Sequence, residues 1–290
     1  MTPETPPPRP SSLQERIASV FFFKLGPRLP RVSQPDPPDE LRPWEHVPVE
    51  RGEGVRPLTA TWYPTGAERR RGAVLLVHPW LEWGKSYFHR RGRLQALRSA
   101  GYAALTLDLG GFGGGERRPG FLDRDVEAGL DCLRRLAPGL PLHVWGVSAG
   151  GYWSHLVLSR RNGVAGAMFE DVSPHLFEWS WRMAPLLRPA FLLYQLAFPA
   201  AYRFLDIRRH ARSLNVSAAA YVSGERDRGV LPGDTRILAE VAGGRCLIVP
   251  GAGHLGAIKA ANEEVVGLAL ATFRRAEASF QVPGLSGGGT

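Results

Sequence analysis

Short apolar runs alternate with longer, helix-like stretches from about residue 46 to residue 278. Most of these runs are apolar throughout, as expected for strands buried on both faces of a sheet. Eight runs are strand candidates, at residues 46–50, 58–64, 72–78, 102–108, 142–147, 164–170, 218–224 and 245–251. The alternation predicts an α/β fold with an eight-stranded, mostly parallel sheet flanked by helices.

Helical periodicity fills most of the gaps between the predicted strands. The candidate helices cover residues 86–100, 121–137, 149–161, 231–242 and 255–278. In the second of them, Val126, Leu130 and Leu133 recur at helical spacing with charged residues between them. One face of such a helix is apolar and can cover the sheet.

The regular alternation is interrupted by residues 173–215, which are rich in Trp, Leu, Phe, Tyr and Arg. A plain loop of this length is uncommon in a compact domain. We therefore predict two or three helices that form a small cap over the ends of the strands. Its apolar run at residues 190–202 has three interpretations, since it could line a substrate pocket, touch a membrane or pack on the body of the domain.

The two ends of the chain differ in composition from the middle. Residues 1–45 are predicted to be a leader, because they are rich in proline, which lacks an amide donor and disfavours regular structure. Residues 46–280 are predicted to be one domain and residues 281–290 a flexible tail. The apolar stretch at 17–29 is too short to span a bilayer. We expect it to pack on the domain, with a peripheral membrane contact as the alternative. The start of the sequence lacks the pattern of a secretory signal, so a cytoplasmic location is expected.

The charge of the chain bears on possible nucleic-acid partners, and its cysteine content bears on disulfides and metal sites. The formal net charge of +9 is carried almost wholly by arginine in short scattered groups, with lysine only at positions 24, 85 and 259. No repeat of basic and aromatic residues accompanies it, so no nucleic-acid partner is expected. Cys132 and Cys246 both lie in apolar stretches, which predicts buried thiols and neither a disulfide framework nor a metal site.

A candidate nucleophile lies where the fifth predicted strand meets the following helix. Residues 146–150 read Gly-Val-Ser-Ala-Gly, the G-x-S-x-G pattern in the strand–turn–helix context that it requires. A serine on such a sharp turn exposes its hydroxyl group, and glycines fit beside it because they have no side chain. Ser148 is thus the predicted nucleophile, and the amide of Ala149, at a helix N-terminus, is a predicted oxyanion donor.

A serine hydroxyl needs a base within hydrogen-bonding reach and an acid that orients the base. Asp227 follows the seventh predicted strand and His254 follows the eighth, so both lie at the same sheet edge as Ser148. We predict His254 as the general base and Asp227 as the acid. Glu225 and Asp171, which follows the sixth strand, are alternative acids.

The three motifs, in the order Ser, Asp, His, make residues 46–278 resemble the α/β-hydrolase fold superfamily of serine esterases, lipases and acyl-peptidases. The resemblance implies an acyl-enzyme mechanism on a small-molecule ester, without metal or organic cofactor. It also implies a second oxyanion donor after the third strand, where the family often has His-Gly and this chain has His78 and Pro79. By position the donor is the amide of Trp80, although Pro79 departs from the pattern. The turn that begins at Asp108 and ends at Gly113 resembles a structural turn of the family.

The substrate pocket is the least specific part of this prediction. We assign Leu81 and Trp83 to its wall, with core packing as the alternative, because large aromatic residues serve both purposes. The same triad could instead cleave amides, thioesters or carbon–carbon bonds, or transfer an acyl group to an acceptor other than water. A further alternative is a non-catalytic protein whose basic surface binds membranes or nucleic acid.

Overall fold

The structure is a computed structural model that describes residues 8–23, 35–66, 70–81, 83–113, 115–116 and 120–279. Side chains of residues 21–23 are outside this description, and so is the predicted tail at 281–290.

In these described ranges, eight strands form one sheet in the order β1-β2-β4-β3-β5-β6-β7-β8. β1 and β2 pair antiparallel, β2 is antiparallel to β4, and the other neighbours run parallel. This confirms the predicted eight-stranded, mostly parallel sheet. The strands are β1 Glu45–Val49, β2 Leu58–Tyr63, β3 Gly72–Val77, β4 Tyr102–Leu107, β5 Leu142–Val147, β6 Gly166–Glu170, β7 Ala218–Gly224 and β8 Arg245–Val249.

Helices cover both faces of the sheet because the central strands are buried along their whole length and need apolar cover on each side. One core cluster lies between the sheet and α3, α4 and α9, and the other lies under α2, α10 and α11. The helices of the sheet layers are α2 Arg93–Ser99, α3 Asp123–Leu136, α4 Ala149–Leu158, α9 Pro232–Val241, α10 Ala257–Ala260 and α11 Asn262–Ser279.

Two of the predicted helices are divided. The stretch predicted as one helix over 86–100 is a 3-10 helix at Gly84–His89 followed by α2, because Arg91 and Gly92 have φ of 65° and 69°. A right-handed helix cannot continue through two left-handed residues. The stretch predicted over 255–278 is α10 and α11, separated at Ala261, whose φ of -140° and ψ of 57° are not helical.

The cap region contains more and shorter helices than the two or three predicted. They are α5 Leu176–Met183, α6 Arg188–Ala197, α7 Pro199–Phe204 and α8 Arg208–Ala211, with a 3-10 turn at Pro185–Leu187. Prolines lie in the first turns of the 3-10 turn, α6 and α7, where the missing amide hydrogen costs nothing and each proline favours a new start.

A helix also lies within residues 1–45, the segment predicted as a proline-rich leader with an apolar stretch packed on the domain. α1 spans Ser12–Phe23 and buries Ala18 completely in the core. Just before it, the guanidinium group of Arg9 bridges Glu15 and the buried Asp123. Apolar burial and this ion pair explain why the segment is ordered against the domain.

One cysteine prediction is wrong. Cys132 is buried as predicted, but Cys246 is exposed because it lies on β8, at the open edge of the sheet.

Among the described helices, none combines the length and hydropathy needed to cross a bilayer.

Candidate active site

Ser148 lies at the junction of β5 and α4 in a conformation that is rare for a residue with a side chain. Its φ is 48° and its ψ is -116°. Its amide donates a hydrogen bond of 2.7 Å to the carbonyl oxygen of Glu170, which fixes the turn to the end of β6. Such a strained turn persists only where the surrounding structure holds it, and here it raises the hydroxyl group above the sheet edge.

The flanking glycines are required by close backbone approaches. A Cβ atom at Gly150 would lie 2.3 Å from the carbonyl oxygen of Val77, and one at Gly146 would lie 2.5 Å from the Cα atom of Gly151. Both distances are shorter than any real carbon contact. The absence of side chains at these two positions lets α4 begin directly against the end of β3.

The structure brings Ser148, His254 and Asp227 together in a hydrogen-bonded row. The Oγ atom of Ser148 is 3.1 Å from Nε2 of His254, and Nδ1 of the same imidazole is 2.6 Å from Oδ2 of Asp227. The second carboxylate oxygen of Asp227 accepts the amides of Gly229 and Val230 at 2.8 and 2.9 Å. A buried carboxylate held in this way can orient an imidazole toward a serine hydroxyl group.

Comparison with solved structures identifies the architecture. An esterase from Pyrococcus furiosus aligns with a TM-score of 0.69 at 18% identity, covering 86% of this chain and 98% of the esterase. A thermostable carboxyl esterase from Bacillus coagulans gives a TM-score of 0.62 at 14% identity, covering 81% of this chain and 99% of that one. The chain has the α/β-hydrolase fold.

A puromycin-hydrolysing peptidase from Mycobacterium tuberculosis shares this α/β-hydrolase fold with a TM-score of 0.62 at 18% identity, covering 83% of this chain and 40% of the peptidase. No protein-family model matches the sequence. A search of curated proteins also finds no significant match. The likeness is therefore one of fold, and the chemistry is argued from the residues at the sheet edge.

His254 has opposing influences on its pKa. Burial of the imidazole opposes its protonation, but the hydrogen bond and negative charge of Asp227, aided by Asp171 and Glu170, prevail and raise the pKa of His254 above its ordinary value. A raised pKa makes the imidazole a better proton acceptor once it is neutral. It also means that the imidazole stays protonated, and inactive as a base, to a higher pH than a free histidine.

Asp171, one of the alternative acids, supports the backbone beside the triad. Its Oδ2 atom accepts the amide of Leu255 at 2.8 Å, and its Oδ1 atom accepts the amide of Gly224 at 3.3 Å. Leu255 directly follows His254 and has a φ of 57°. Among the described residues, no hydrogen bond joins Asp171 to the imidazole itself. Asp171 thus ties the histidine loop to the ends of β6 and β7, while Asp227 contacts the ring.

The other alternative acid, Glu225, is exposed and accepts the amide of Gly251 at 2.8 Å. Oxygen or nitrogen atoms of Asp171, Asp227 and His254 all lie within 4.8 Å of one another, a spacing compatible with a cation. Each of the three side chains already has hydrogen-bond partners, however. We therefore interpret the cluster as part of the hydrogen-bonded network.

Asp171 should make the stability of the protein depend on pH. Burial, with the charges of Glu170 and Asp227 and against that of His254, raises the pKa of Asp171 from 3.8 to about 7. A carboxyl group with a raised pKa stabilises the fold fully below its unfolded pKa, and this contribution is lost as the pH rises through the folded pKa. Asparagine does not titrate, so Asp171→Asn lacks this loss. We therefore expect the melting temperature of Asp171→Asn minus that of wild type to increase from pH 4 to pH 7.

Thermal unfolding of both proteins across this range measures the effect. Glu225→Gln is the matched control, since this exposed carboxylate also accepts a loop amide and its substitution should leave the two curves parallel. A constant difference between Asp171→Asn and wild type from pH 4 to pH 7 would contradict the assignment.

His78 and Pro79 begin the loop that should supply the second oxyanion donor. Nε2 of the buried His78 accepts the amide of Leu109 at 3.1 Å, so Nδ1 carries the proton and donates to the carbonyl oxygen of Pro79 at 2.7 Å. The imidazole thereby joins the loops after β3 and β4. The ring of Trp80 packs edge-on against the ring of Phe112, with the two ring centres 5.1 Å apart. The oxyanion role of the Trp80 amide, like that of the Ala149 amide, stays a prediction.

The two residues assigned to the pocket wall are half-buried. Leu81 and Trp83 both pack against the core cluster under α2, and the guanidinium group of Arg90 lies 4.8 Å from the centre of the Trp83 ring. Part of each side chain is therefore buried by core packing, and the role of these two residues in the pocket stays a prediction.

Asp108, which begins the turn after β4, is buried. It accepts hydrogen bonds from the hydroxyl group of Thr59 at 2.7 Å and from the amide of Lys85 at 2.8 Å, which is a structural role.

Proposed function

We propose that the chain is a serine hydrolase that cleaves carboxylic esters of small molecules through an acyl-enzyme intermediate. Ser148 is the nucleophile, His254 the general base and Asp227 the acid that orients the base. The observation that carries this proposal is the hydrogen-bonded row of the three side chains at the carboxyl edge of the sheet. Three segments that are distant in sequence converge there in the geometry that acyl transfer requires.

The residues divide the reaction into two similar halves. Nε2 of His254 accepts the proton of Ser148 as Oγ attacks the carbonyl carbon, and Asp227 stabilises the resulting imidazolium. The imidazolium then gives its proton to the departing alcohol. In the second half His254 activates water, which attacks the acyl-enzyme and releases the acid and the free serine.

The developing oxyanion needs donors that are already in place. Ala149 is the first residue of α4, so its amide has no carbonyl partner inside the helix and lies at the positive end of the helix dipole. The amide of Trp80, in the loop that His78 holds, is the proposed second donor. Removing one such donor typically costs about 10²- to 10³-fold in kcat.

Esters are the preferred substrate class because two of the structural neighbours are esterases. The second candidate function keeps the triad and cleaves amides or thioesters, breaks carbon–carbon bonds, or transfers the acyl group to another acceptor. It is supported by the likeness to the puromycin-hydrolysing peptidase. A non-catalytic binding role is less favoured, because a complete and hydrogen-bonded triad has no evident use in such a protein.

A panel of p-nitrophenyl esters from acetate to palmitate tests the ester assignment. We expect release of p-nitrophenol above the background given by Ser148→Ala for at least one acyl length, and the best length reports the size of the acyl site. A folded wild-type protein that hydrolyses none of these esters would contradict the ester assignment and favour the second function.

A further inference from the structure

Helix α6 is apolar on two opposite faces. Phe191 and Tyr194 are buried against the cap and the core, whereas Leu192, Leu193 and Leu196 are 47%, 67% and 70% exposed. A helix at the surface of a globular domain normally presents polar residues outward. The outward leucines therefore form a surface that the folded chain, as far as the structure describes it, leaves uncovered.

The same surface continues onto the elements that precede α6. Leu186, in the 3-10 turn, is 93% exposed, and Trp181 and Met183 at the end of α5 are also exposed. α5, this turn and α6 contact one another. We define the outer cap face as the exposed apolar residues Trp181, Met183, Leu186, Leu192, Leu193 and Leu196. Single exposed apolar residues are normal, but a cluster of this kind marks an interaction surface.

The segment that carries the outer cap face is itself free of acidic residues. Residues 179–205 contain no Asp or Glu and three arginines, at positions 182, 188 and 203. Arg182 pairs with Asp234 of α9 and with Glu178 of α5, so its charge is neutralised. Within the part of the chain that the structure describes, neither Arg188 nor Arg203 forms an ion pair with a carboxylate. Arg188 instead donates to the carbonyl oxygen of Trp181 and lies 5.3 Å from the centre of its ring, at the border of the apolar surface.

We infer that the outer cap face docks on an anionic lipid surface. Exposed leucines and a tryptophan, bordered by Arg188, which has no carboxylate partner among the described residues, match the apolar and negatively charged layers of such a surface. A second copy of the chain fits less well. Two-fold pairing would bring the Arg188 side chains of two copies toward each other without a carboxylate partner, and like charges disfavour that contact.

The outer cap face is joined to the candidate active site through α5. A Cβ atom at Gly229 would lie 2.5 Å from Nε1 of Trp179, and Arg182 donates to the carbonyl oxygen of Gly229 at 3.0 Å. The amide of Gly229 in turn donates to Asp227. Helix α5 packs on the loop that carries Asp227, the proposed catalytic acid, and docking would hold this helix at the lipid surface. The docking itself does not depend on whether the triad is catalytic.

Flotation of the full chain with lipid vesicles tests the docking surface. We expect wild type to float with vesicles of phosphatidylcholine and phosphatidylglycerol, and less with phosphatidylcholine alone. The double variant Leu193→Asp and Leu196→Asp should bind the anionic vesicles at least about tenfold more weakly, since two exposed leucines no longer enter the apolar layer. Both side chains are largely exposed, so circular dichroism and the melting temperature should be unchanged.

Two further variants separate the contributions. Arg188→Glu should weaken binding to anionic vesicles and leave the weak binding to neutral ones. Ile237→Asp is the matched control, since Ile237 is an exposed apolar residue of α9 outside the face, and it should bind as wild type does.

Three results would overturn the docking proposal. The first is a wild type that floats with neither vesicle type. The second is a leucine variant that floats as wild type does. The third is a wild-type dimer in light scattering that becomes monomeric in the leucine variant without any vesicle binding, which would assign the face to a second copy of the chain.

Discussion

Replacing Ser148 with alanine should lower ester hydrolysis by about 10⁴- to 10⁶-fold while the protein stays folded. The substitution removes the proposed nucleophilic atom, whereas the proposed oxyanion donors and the substrate contacts remain and should account for the residual rate. Alanine has a side chain as small as serine, so the strained turn at φ of 48° should tolerate the exchange. Initial rates on the best ester of the panel measure the loss.

Ser154 supplies the matched control for this substitution. It lies six residues after Ser148 in α4, is buried, and donates its hydroxyl hydrogen to the carbonyl oxygen of Gly150 rather than to a histidine. Ser154→Ala should keep the rate within about tenfold of wild type, because it removes one local hydrogen bond of modest net worth. A Ser148→Ala protein with undiminished activity would mean that another residue carries out the attack.

Replacing Asp227 with asparagine should lower kcat by about 10⁴-fold, the loss typical of triads whose acid becomes an amide. Asparagine accepts hydrogen bonds only on its one side-chain oxygen. It therefore cannot keep both the contact with Nδ1 of His254 and the contacts with the amides of Gly229 and Val230. The imidazole then loses both its orientation and the charge that stabilises its protonated form.

The pH profile of Asp227→Asn gives a second readout of the same substitution. In the proposed mechanism activity requires neutral His254, whose raised pKa should place the acidic limb of kcat/KM above the 6.5 of an ordinary histidine. Loss of the Asp227 charge lowers this pKa, so the limb of the residual activity should move to lower pH. Glu225→Gln should preserve both rate and profile. An active Asp227→Asn protein beside an inactive Asp171→Asn protein would transfer the role of the acid to Asp171.

The sheet and the elbow could be predicted because their signals are local. Strands β3 to β7 are buried on both faces, so their sequences are nearly continuous apolar runs. The glycines at 146 and 150 are required by the backbone contacts at the elbow, which makes the motif visible without a structure. The proximity of Asp227 and His254 to Ser148 could be predicted because parallel strands end at a common edge, so position along the chain predicts proximity in space.

The features that the sequence did not indicate depend on distant contacts. The break at Arg91 and Gly92 is marked only by one glycine in an otherwise helical pattern. The helix α1 is ordered by the burial of Ala18 and by the pairing of Arg9 with Asp123, more than a hundred residues away. The role of Asp171 depends on the amide of Leu255 from another loop. Its position after β6 suggested an acid, but only the folded chain shows that it supports the backbone.

Exposure of Cys246 has a similar origin. Its apolar context is that of a buried strand, yet among the described residues β8 has a neighbouring strand on one side only, and several of its side chains are open to solvent. Strand order is set by the crossovers of the whole chain rather than by local composition. Edge and centre strands therefore cannot be told apart from a short apolar run alone.

Reaction with a fluorophosphonate, followed by mass spectrometry of the digested protein, tests the central claim most directly. Such a reagent phosphonylates only a serine whose hydroxyl group is activated by a base. We expect one adduct per chain, on the peptide that contains Ser148, and no adduct in the Ser148→Ala protein. A folded wild-type chain that stays unlabelled, or that carries the adduct on another residue, would contradict the proposed triad.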